Sequence, residues 1–327
     1  MSCVSWARAT PANEIWAERS TRNRVRRRQT PRPIAETPVE SGARSTEYAV
    51  RVPAVAVSIV VPTRNRPASL SRCLARLDRQ SGCEPFEIIV VDDGSHDAAR
   101  VAEAVTLVPR ARLLRLDGRG PAAARNAGAR AAQGSILCFT DDDFEPPLDW
   151  AARLVEAVLA GADAVSGQTV SVPPDHPFTG VARAVGESLR EAPGGTVAFA
   201  ASGNMACRAD VFRAIPFDER YAFACEDRDW SVRLTAGGYR LVREPGALSF
   251  HNNPETLGRF LRRHVRYGEG AYLFRQLHSK GRPGPPRFYA RLIRRGFREG
   301  LVVGVLVVLS QVAVAVGFAR AGRRAGA

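Results

Sequence analysis

Ser135–Trp150 reads SILCFTDDDFEPPLDW. The apolar run Ile136–Phe139 ends abruptly in three acids, Asp141, Asp142 and Asp143, followed by Glu145, Pro146 and Pro147. A new helical pattern starts near Asp149. An apolar run this short, bounded by turn residues, predicts a buried strand. In an open α/β sheet ligands bind beyond the carboxyl ends of the strands, so the acids stand where a ligand is expected. Three adjacent carboxylates repel one another unless a cation or solvent relieves them. Oxygen donors on a short turn suit a hard divalent cation, Mg²⁺ or Mn²⁺, and such an ion suits a diphosphate. The competing reading is an acidic turn that caps the following helix.

Upstream, Val55–Val61 (VAVSIVV) is rich in β-branched residues and predicts a strand, ended by Pro62, Thr63, Arg64 and Asn65. Pro67 then opens a helix with Leu70, Leu74 and Leu77 on one face. Phe86–Val91 (FEIIVV) predicts a second strand, running into Asp92-Asp93-Gly94-Ser95. A strand–helix–strand unit implies parallel pairing with a right-handed crossover. Both strands then end in polar residues on the same sheet edge, where an Asp can accept from a nucleobase N–H or a ribose hydroxyl. A plain Asp-Gly turn is the alternative. A helix over 97–109 and a strand over Ala111–Leu116 follow. Gly118–Pro121 then introduces a helix, Ala122–Ala132, that carries Arg125 and Asn126. A Gly-rich entry to a helix N-terminus suits an anion, and Arg125 would add charge-assisted hydrogen bonds.

Downstream, the pattern predicts a helix over Trp150–Ala160 and a strand over Ala164–Val172. Residues 173–195 hold Pro and Gly and predict a mobile loop. Phe199–Cys207 reads as strand-like, with small residues at Gly203–Asn204 that let a ligand approach the backbone. A short helix is expected over Val211–Ile215. Glu226 and Asp227 stand at a helix start, as caps or as a general base facing an acceptor hydroxyl. Strands over Tyr239–Val242 and Gly246–Phe250 lead to His251, which would be a metal ligand, a phosphate contact or a structural group.

The 327-residue chain carries a formal charge of +14, almost all from Arg, with Lys280 its only lysine. The arginines concentrate in the first 45 residues and around 259–298, so the middle is nearer neutral. Nucleic acid, anionic lipid and phosphorylated substrates are all compatible with such a charge. The six cysteines form no CxxC pair or Cys/His cluster, which excludes a classical zinc site and fits a reducing compartment. The opening residues lack the apolar core of a secretory signal. Thr256–Leu277 predicts a basic amphipathic helix, and Leu301–Ala319 is uncharged and long enough to cross a bilayer. Arginines flank it on both sides. The expected layout is a disordered Arg-rich tail (1–50), a catalytic domain (51–255), a basic helical region (256–299), a transmembrane or membrane-interface helix (300–320) and a basic tail (321–327).

In order, the stretches VSIVVPTRNRPASLSRCL, FEIIVVDDGS, GPAAARNAGARAAQGSILCFTDDDFEPP and FDERYAFACEDRDWSVRLTAGGYRL resemble glycosyltransferase family 2 with its GT-A fold. The resemblance covers roughly residues 55–250. It implies an α/β fold of GT-A, Rossmann-like type, a mostly parallel sheet with flanking helices, joined here to a C-terminal hydrophobic helix. It places Pro62, Thr63, Arg64 and Asn65 along a nucleotide pocket, Asp93 on the base with Asp92 close by, and Arg125 facing the diphosphate. Asp141 and Asp143 match the ends of the DxD motif, with Asp142 in play because a third acid blurs the register. Asp143, Asp141 and His251 would hold Mg²⁺ or Mn²⁺. Asp227 matches the catalytic base, with Glu226 beside it. The QxxRW signature of processive members is missing, since this helix reads WSVRL, which implies transfer of a single sugar.

The implied enzyme is an inverting glycosyltransferase. Its donor is a nucleotide sugar of UDP or dTDP type. Its acceptor is a hydroxyl of a glycolipid, polysaccharide or small molecule in cell-envelope assembly. The expected location is the cell membrane, single-pass or peripheral through membrane lipid, with the catalytic domain cytoplasmic. A nucleotidyltransferase would want a Gly-rich basic loop where PTRNRP stands. A nucleic-acid binder would want aromatic-studded basic surfaces, and no specific nucleic acid is expected. An inactive scaffold of the same fold, or a membrane-associated binding protein, is the remaining alternative.

Overall fold

The computed structural model describes residues 56–190, 199–252, 256–279 and 286–326; the expected basic tail over 1–50 lies outside them. The first half is a run of crossovers: β1 (Val57–Thr63), α1 (Pro67–Leu77), β2 (Phe86–Asp93), α2 (Ala98–Thr106), β3 (Ala111–Leu116), α3 (Pro121–Ala131) and β4 (Ile136–Thr140). Strands β3, β2, β1 and β4 lie side by side and all pair in parallel. The strand order reverses at β1, between β2 and β4. That reversal opens a crevice at the carboxyl ends of β1 and β4.

The second half mixes directions. It comprises β5 (Phe144–Glu145), α4 (Trp150–Leu159), β6 (Ala164–Val172), α5 (Pro177–Arg190), β7 (Asn204–Arg208), α6 (Ala209–Ala214), α7 (Glu226–Ala236) and β8 (Leu241–Asn252). Strand β7 runs antiparallel to β4 and β6, β8 runs parallel to β6, and β5 pairs antiparallel with β8. The sheet is therefore mixed, parallel in its first half. Alternation along the strands divides the core. Ile59, Ile88 and Cys138 face α1, α2 and α4, with Leu70, Leu74 and Trp150. Val60, Ile89 and Phe139 face α3, α6 and α7, with Phe212 and Trp230. Each fully buried Leu, Ile or Phe contributes roughly 1.5–3 kcal/mol, so the two layers fix the sheet on which the crevice sits.

Four expectations are corrected. Strand β1 does not stop before Pro62 but runs through it to Thr63; Pro62 lies beyond the last β1–β4 pair, where one ladder has already ended. The loop expected from 173 is the helix α5 over its described part, Pro177–Arg190, with 191–198 outside the described residues. Its Pro and Gly suggested a loop, yet Phe178, Val181, Ala184 and Val185 share a face that packs on Phe260, Leu292 and Val307. The strand expected from Phe199 begins only at Asn204. The two strands expected after α7 are one twelve-residue strand, β8, whose pairing with β6 shifts register between Ser166 and Gln168.

Three helices complete the chain: α8 (Leu257–Ser279), α9 (Pro286–Arg298) and α10 (Leu301–Ala325). Helix α10 is long and apolar enough to cross a membrane by length and composition. It continues through Arg320, Arg323 and Arg324. One face carries Gly304, Val307, Ser310, Ala313 and Gly317, all buried. The other exposes Val302, Val305, Leu309, Val312 and Val316. Helix α8 lies against the buried face at backbone distance: a Cβ on Gly317 would stand 1.8 Å from the Val265 carbonyl oxygen, and one on Gly268 2.0 Å from that of Val314. Gly317→Val should therefore force the two helices apart and cost roughly 1–3 kcal/mol. Gly258→Ala, which would meet only the end of Arg262 at 3.5 Å, should be near neutral. Urea unfolding of the two variants in one detergent checks this pair.

Candidate active site

Asp141, Asp142 and Asp143 stand where β4 ends, one strand away from Thr63 at the end of β1. Asp142 points inward and is only 3% exposed. Thr63 Oγ1 donates to its Oδ2 at 2.7 Å. Arg66, on the turn into α1, donates through Nη1 to Asp142 Oδ1 at 3.0 Å and to Asp143 Oδ2 at 2.7 Å. Burial, only partly opposed by Arg66, pushes the Asp142 carboxyl up to about 6. Burial also pushes Asp143 upward, but the hydrogen bond and charge of His251, with Arg66, outweigh it and leave that carboxyl below its usual range. The repulsion expected among the three acids is thus relieved by guanidinium groups of the chain itself.

His251 Nε2 lies 3.4 Å from Asp143 Oδ2. The β5–β8 pairing sets Phe144 opposite His251, and the two rings stack at 4.8 Å, which fixes the imidazole plane. Asp141 turns away from this pair. Its Oδ1 accepts from Arg125 Nη2, and a Cβ on Gly203 would come within 2.7 Å of its Oδ2. Gly203 is the small residue that makes room for this carboxylate. Among the described residues no three His, Cys, Asp or Glu side chains converge as a metal cage. Mg²⁺-type sites that serve phosphates use one or two protein ligands and complete the shell with phosphate and water. The Asp143–His251 pair fits that kind of open site. Asp141 does not join it, so the expected three-ligand set is not assembled.

Arg125 sits in the second turn of α3 with its side chain 4% exposed. Its Nη1 donates to Glu226 Oε1 at 3.0 Å while Nη2 holds Asp141. The guanidinium is thus a buried bridge between two carboxylates rather than a group facing open space. Its Nε, and Glu226 Oε2, are buried without a hydrogen-bond partner. Glu226 and Asp227 open α7, whose N-cap Cys225 has φ 74° and makes no side-chain cap. Ser202 contacts both acids: its Oγ donates to Glu226 Oε1 at 3.5 Å and its N–H to Asp227 Oδ2 at 3.4 Å. Burial raises both carboxyls above their ordinary range; Asp227 adds to the effect on Glu226, and Arg125 opposes it for both.

The expected nucleotide-pocket residues divide. Asp93 accepts from the N–H groups of Arg119 (2.7 Å) and Gly120 (2.9 Å), pinning the turn into α3, and Arg64 lies 3.6 Å away, half exposed. Asp92 is fully buried, accepting from Ser95 N–H at 2.9 Å and Arg115 Nη1 at 2.6 Å. Asn65, at φ 58°, accepts from His96 N–H and donates its own N–H to Ser95 Oγ. Asp92 and Asp93 are therefore buried beneath the rim, whereas Arg64 and Asn65 stand at its surface. Asn204 is buried between Trp150 Nε1 and the Ala247 carbonyl, a structural role. Arg66 and Ser202 were not anticipated. The signal for Arg66 was available: three acids at the end of β4 need a counter-charge at the end of a neighbouring strand, and PTRNRP supplies one there.

The chain matches the glycosyl transferase family 2 pattern over residues 58–216 and that of glycosyl transferase family group 2 over residues 153–320. The chain belongs to glycosyltransferase family 2. It is similar to glycosyltransferase AglE of Haloferax volcanii, 26% identical over 65% of this chain and 72% of the relative. It is also similar to the pre-mycofactocin glycosyltransferase of Mycobacterium tuberculosis, 28% identical over 66% of this chain and 46%, about half, of the relative. In structure it resembles the mannosyltransferase PcManGT of Pyrobaculum calidifontis, solved with GDP-Man and Mn²⁺, with a TM-score of 0.56 and 22% identity over 80% of this chain and 75% of that one. That likeness places the sheet in the GT-A class.

A carboxylate base works only when ionised, and burial raises the Glu226–Asp227 pair. If one of these acids serves as the base, turnover should fall as pH drops through a value above the ordinary carboxylate range. Asp141→Asn removes a negative neighbour whose charge raises both carboxyls, so the acidic limb should move to lower pH. A kcat/KM–pH profile of both proteins measures the shift.

Proposed function

We propose that the chain moves one sugar from a nucleoside diphosphate sugar, of UDP or dTDP type, to a hydroxyl of a cell-envelope glycan or lipid acceptor, with inversion. The observation that carries this reading is the buried Glu226–Asp227 pair, tied through Arg125 to the acids that end β4. Asp227 takes the proton of the acceptor hydroxyl, whose oxygen bonds to the anomeric carbon while the nucleoside diphosphate departs. One displacement inverts the centre and needs no covalent intermediate. Arg125 and Ser202 position the two acids. Asp93 and Arg64 border the base side, with Pro62 and Thr63 beneath.

An incoming diphosphate would meet the carboxylates that end β4, which repel it unless a cation stands between. That repulsion supports a divalent cation, Mg²⁺ or Mn²⁺, held by Asp143 and His251. When bound, such an ion neutralises charge on the leaving group. The deciding experiment reads nucleoside diphosphate release from a panel of UDP, dTDP and GDP sugars, with Mg²⁺ or Mn²⁺, on protein in detergent. Asp143→Ala should lose about 10²-fold or more in kcat, as several kcal/mol of lost stabilisation implies. Asp227→Asn should cost about 10²–10⁴-fold in transfer. If no nucleotide sugar binds or turns over, the inactive scaffold of the same fold becomes the reading.

Attachment to a membrane is proposed through α10, with the catalytic domain on the cytoplasmic side. Helix α8, with Arg259, Arg262, Arg263, Arg266 and Arg275, runs along α10, so a spanning α10 would drag these charges into hydrocarbon. The arrangement favours α10 lying in the interface, Val302, Val305, Leu309, Val312 and Val316 downward, with arginines toward anionic headgroups. Vesicles of phosphatidylcholine with phosphatidylglycerol should bind the protein, and Val305→Asp with Val312→Asp should release it. Alkaline carbonate should extract it; resistance to carbonate would mean that α10 spans.

A further inference from the structure

Between the crevice and α8 lies a row of rings that the donor chemistry does not use. His176, Phe178, Phe260, His264, Tyr267 and Phe223 follow one another with centroid separations of 5.2, 4.7, 4.2, 5.3 and 6.3 Å. The middle of the row is buried: Phe260 and His264 are core residues. The far end is not, since Phe223 is 39% and Tyr267 38% exposed. Two guanidinium groups attend these open rings, Arg266 at 4.8 Å over Phe223 and Arg263 at 6.0 Å over Tyr267.

Position makes this cluster more than surface packing. Phe223 precedes the Glu226–Asp227 pair by only a few residues. Its neighbour Ala222 lies over the start of α3, where a Cβ on Gly120 would stand 3.0 Å from the Ala222 carbonyl oxygen. Gly120 is also the residue whose N–H Asp93 accepts. Its other neighbour, Ala224, lies against α8, where a Cβ on Gly270 would stand 2.4 Å from the Ala224 oxygen. The loop thus spans from the donor side of the crevice to α8, with Phe223 at its crest.

The near end of the row opens on a cavity of about 330 Å³ beside His251. Val172, Pro173 and Phe178 give it apolar walls, and His176, Thr256 and Arg263 give it polar ones. Thr256, which precedes α8, and Phe260, Arg263 and Tyr267 of α8 recur at helical spacing along one side. That side runs about 16 Å, at 1.5 Å per residue, from the cavity beside His251 to the rings beside the Glu226–Asp227 loop. Arg263 belongs to both ends, lining the cavity and approaching Tyr267.

We propose that the open end of this row, Phe223 and Tyr267 with Arg266, is the acceptor subsite and that it takes a pyranose ring bearing a phosphate. It rests on the transferase reading above. Flat, partly exposed aromatic rings offer apolar area to the C–H face of a sugar at low entropic cost. Guanidinium groups beside them recognise phosphate by charge-assisted hydrogen bonds. A ring seated on Phe223 and Tyr267 would stand beside the loop that leads into α7 and Asp227. The phosphate comes from a free sugar phosphate or from a lipid-linked one, the same chemistry in either case.

The test uses the full chain in detergent and ligand-observed NMR with glucose 1-phosphate, against glucose and inorganic phosphate separately. A short-chain prenyl-phosphate glucose serves as the lipid-linked arm. Binding of UDP, dTDP and GDP to the wild type is measured alongside. Saturable binding of at least one phosphorylated sugar is expected, weakened about fivefold or more in Phe223→Ala and in Arg266→Gln, and weaker still for glucose or phosphate alone. The two variants must retain the thermal unfolding transition, and Phe223→Leu, which keeps the bulk without the ring, serves where alanine does not fold. Stronger binding of the prenyl compound assigns the lipid-linked source. If a nucleotide binds but neither sugar phosphate does, or if Phe223→Leu and Arg266→Gln bind them as well as the wild type, the subsite is overturned and the transferase reading stands. If no nucleotide binds either, both fall.

Discussion

The arrangement depends on one buried cation. Arg125 enters from the second turn of α3 and holds Asp141, from the end of β4, against Glu226, from the start of α7. A buried guanidinium is tolerable only where carboxylates and hydrogen bonds offset its lost hydration. Conversely, two acids this close are tolerable only with a cation between them. Removing either side of such a cluster leaves an uncompensated charge, which typically costs 3–5 kcal/mol. The pairing therefore couples the parallel half of the sheet to the helix that carries the acid pair. It also sets their protonation, because the attraction of Arg125 opposes the burial that drives both carboxyls upward.

The same logic of compensation governs the acids on the other side of β4. Arg66 neutralises Asp142 and Asp143 from the neighbouring strand end, and Thr63 satisfies the remaining oxygen of Asp142. Asp142 is thereby part of the structure under the site. Asp143, reached by both Arg66 and His251, is the acid whose partners are exchangeable. A guanidinium on a turn is displaced more easily than one sealed beneath a helix, so ligand entry has somewhere to send the charge. Arg66 is half exposed, whereas Arg125 is almost wholly buried.

What the sequence conveyed well was short-range. The parallel run β1-α1-β2-α2-β3-α3-β4 follows from local periodicity, and its boundaries were legible to within a few residues, because β1, β2 and β4 are buried apolar runs bounded by turn residues. The acids at 92–93, 141–143 and 226–227 stood out for the same reason, as charges placed directly after apolar runs. The partners of those acids were not legible. Whether Asp141 faces Arg125 or a metal depends on how Gly203, more than sixty residues away, approaches it. Helix α5 was missed because Pro177 and Gly180 mimic a loop, and only the packing of Val181 and Ala184 on Phe260 and Leu292 makes the helix worthwhile. Helix α10 was read from composition alone. Hydropathy reports how apolar a segment is but not how much of it a neighbouring helix covers.

The C-terminal helices show why that distinction matters for catalysis. Helix α8 gives its glycines, Gly268 and Gly270, to two different contacts: Gly268 admits α10, and Gly270 admits the loop that precedes Glu226. Two backbones thus approach one helix within a single turn, and no side chain larger than hydrogen fits at either point. Whatever fixes α10 in place fixes α8, and α8 in turn supports the loop on which the acid pair is mounted. An interfacial α10 would hold that loop at a set height above the lipid. Detachment would remove support from one side of α8 without touching α1, α3 and the parallel strands. The two halves of the molecule therefore answer to different forces: the donor half to burial of a continuous core, and the half that carries the aromatic row to the seating of a single apolar helix.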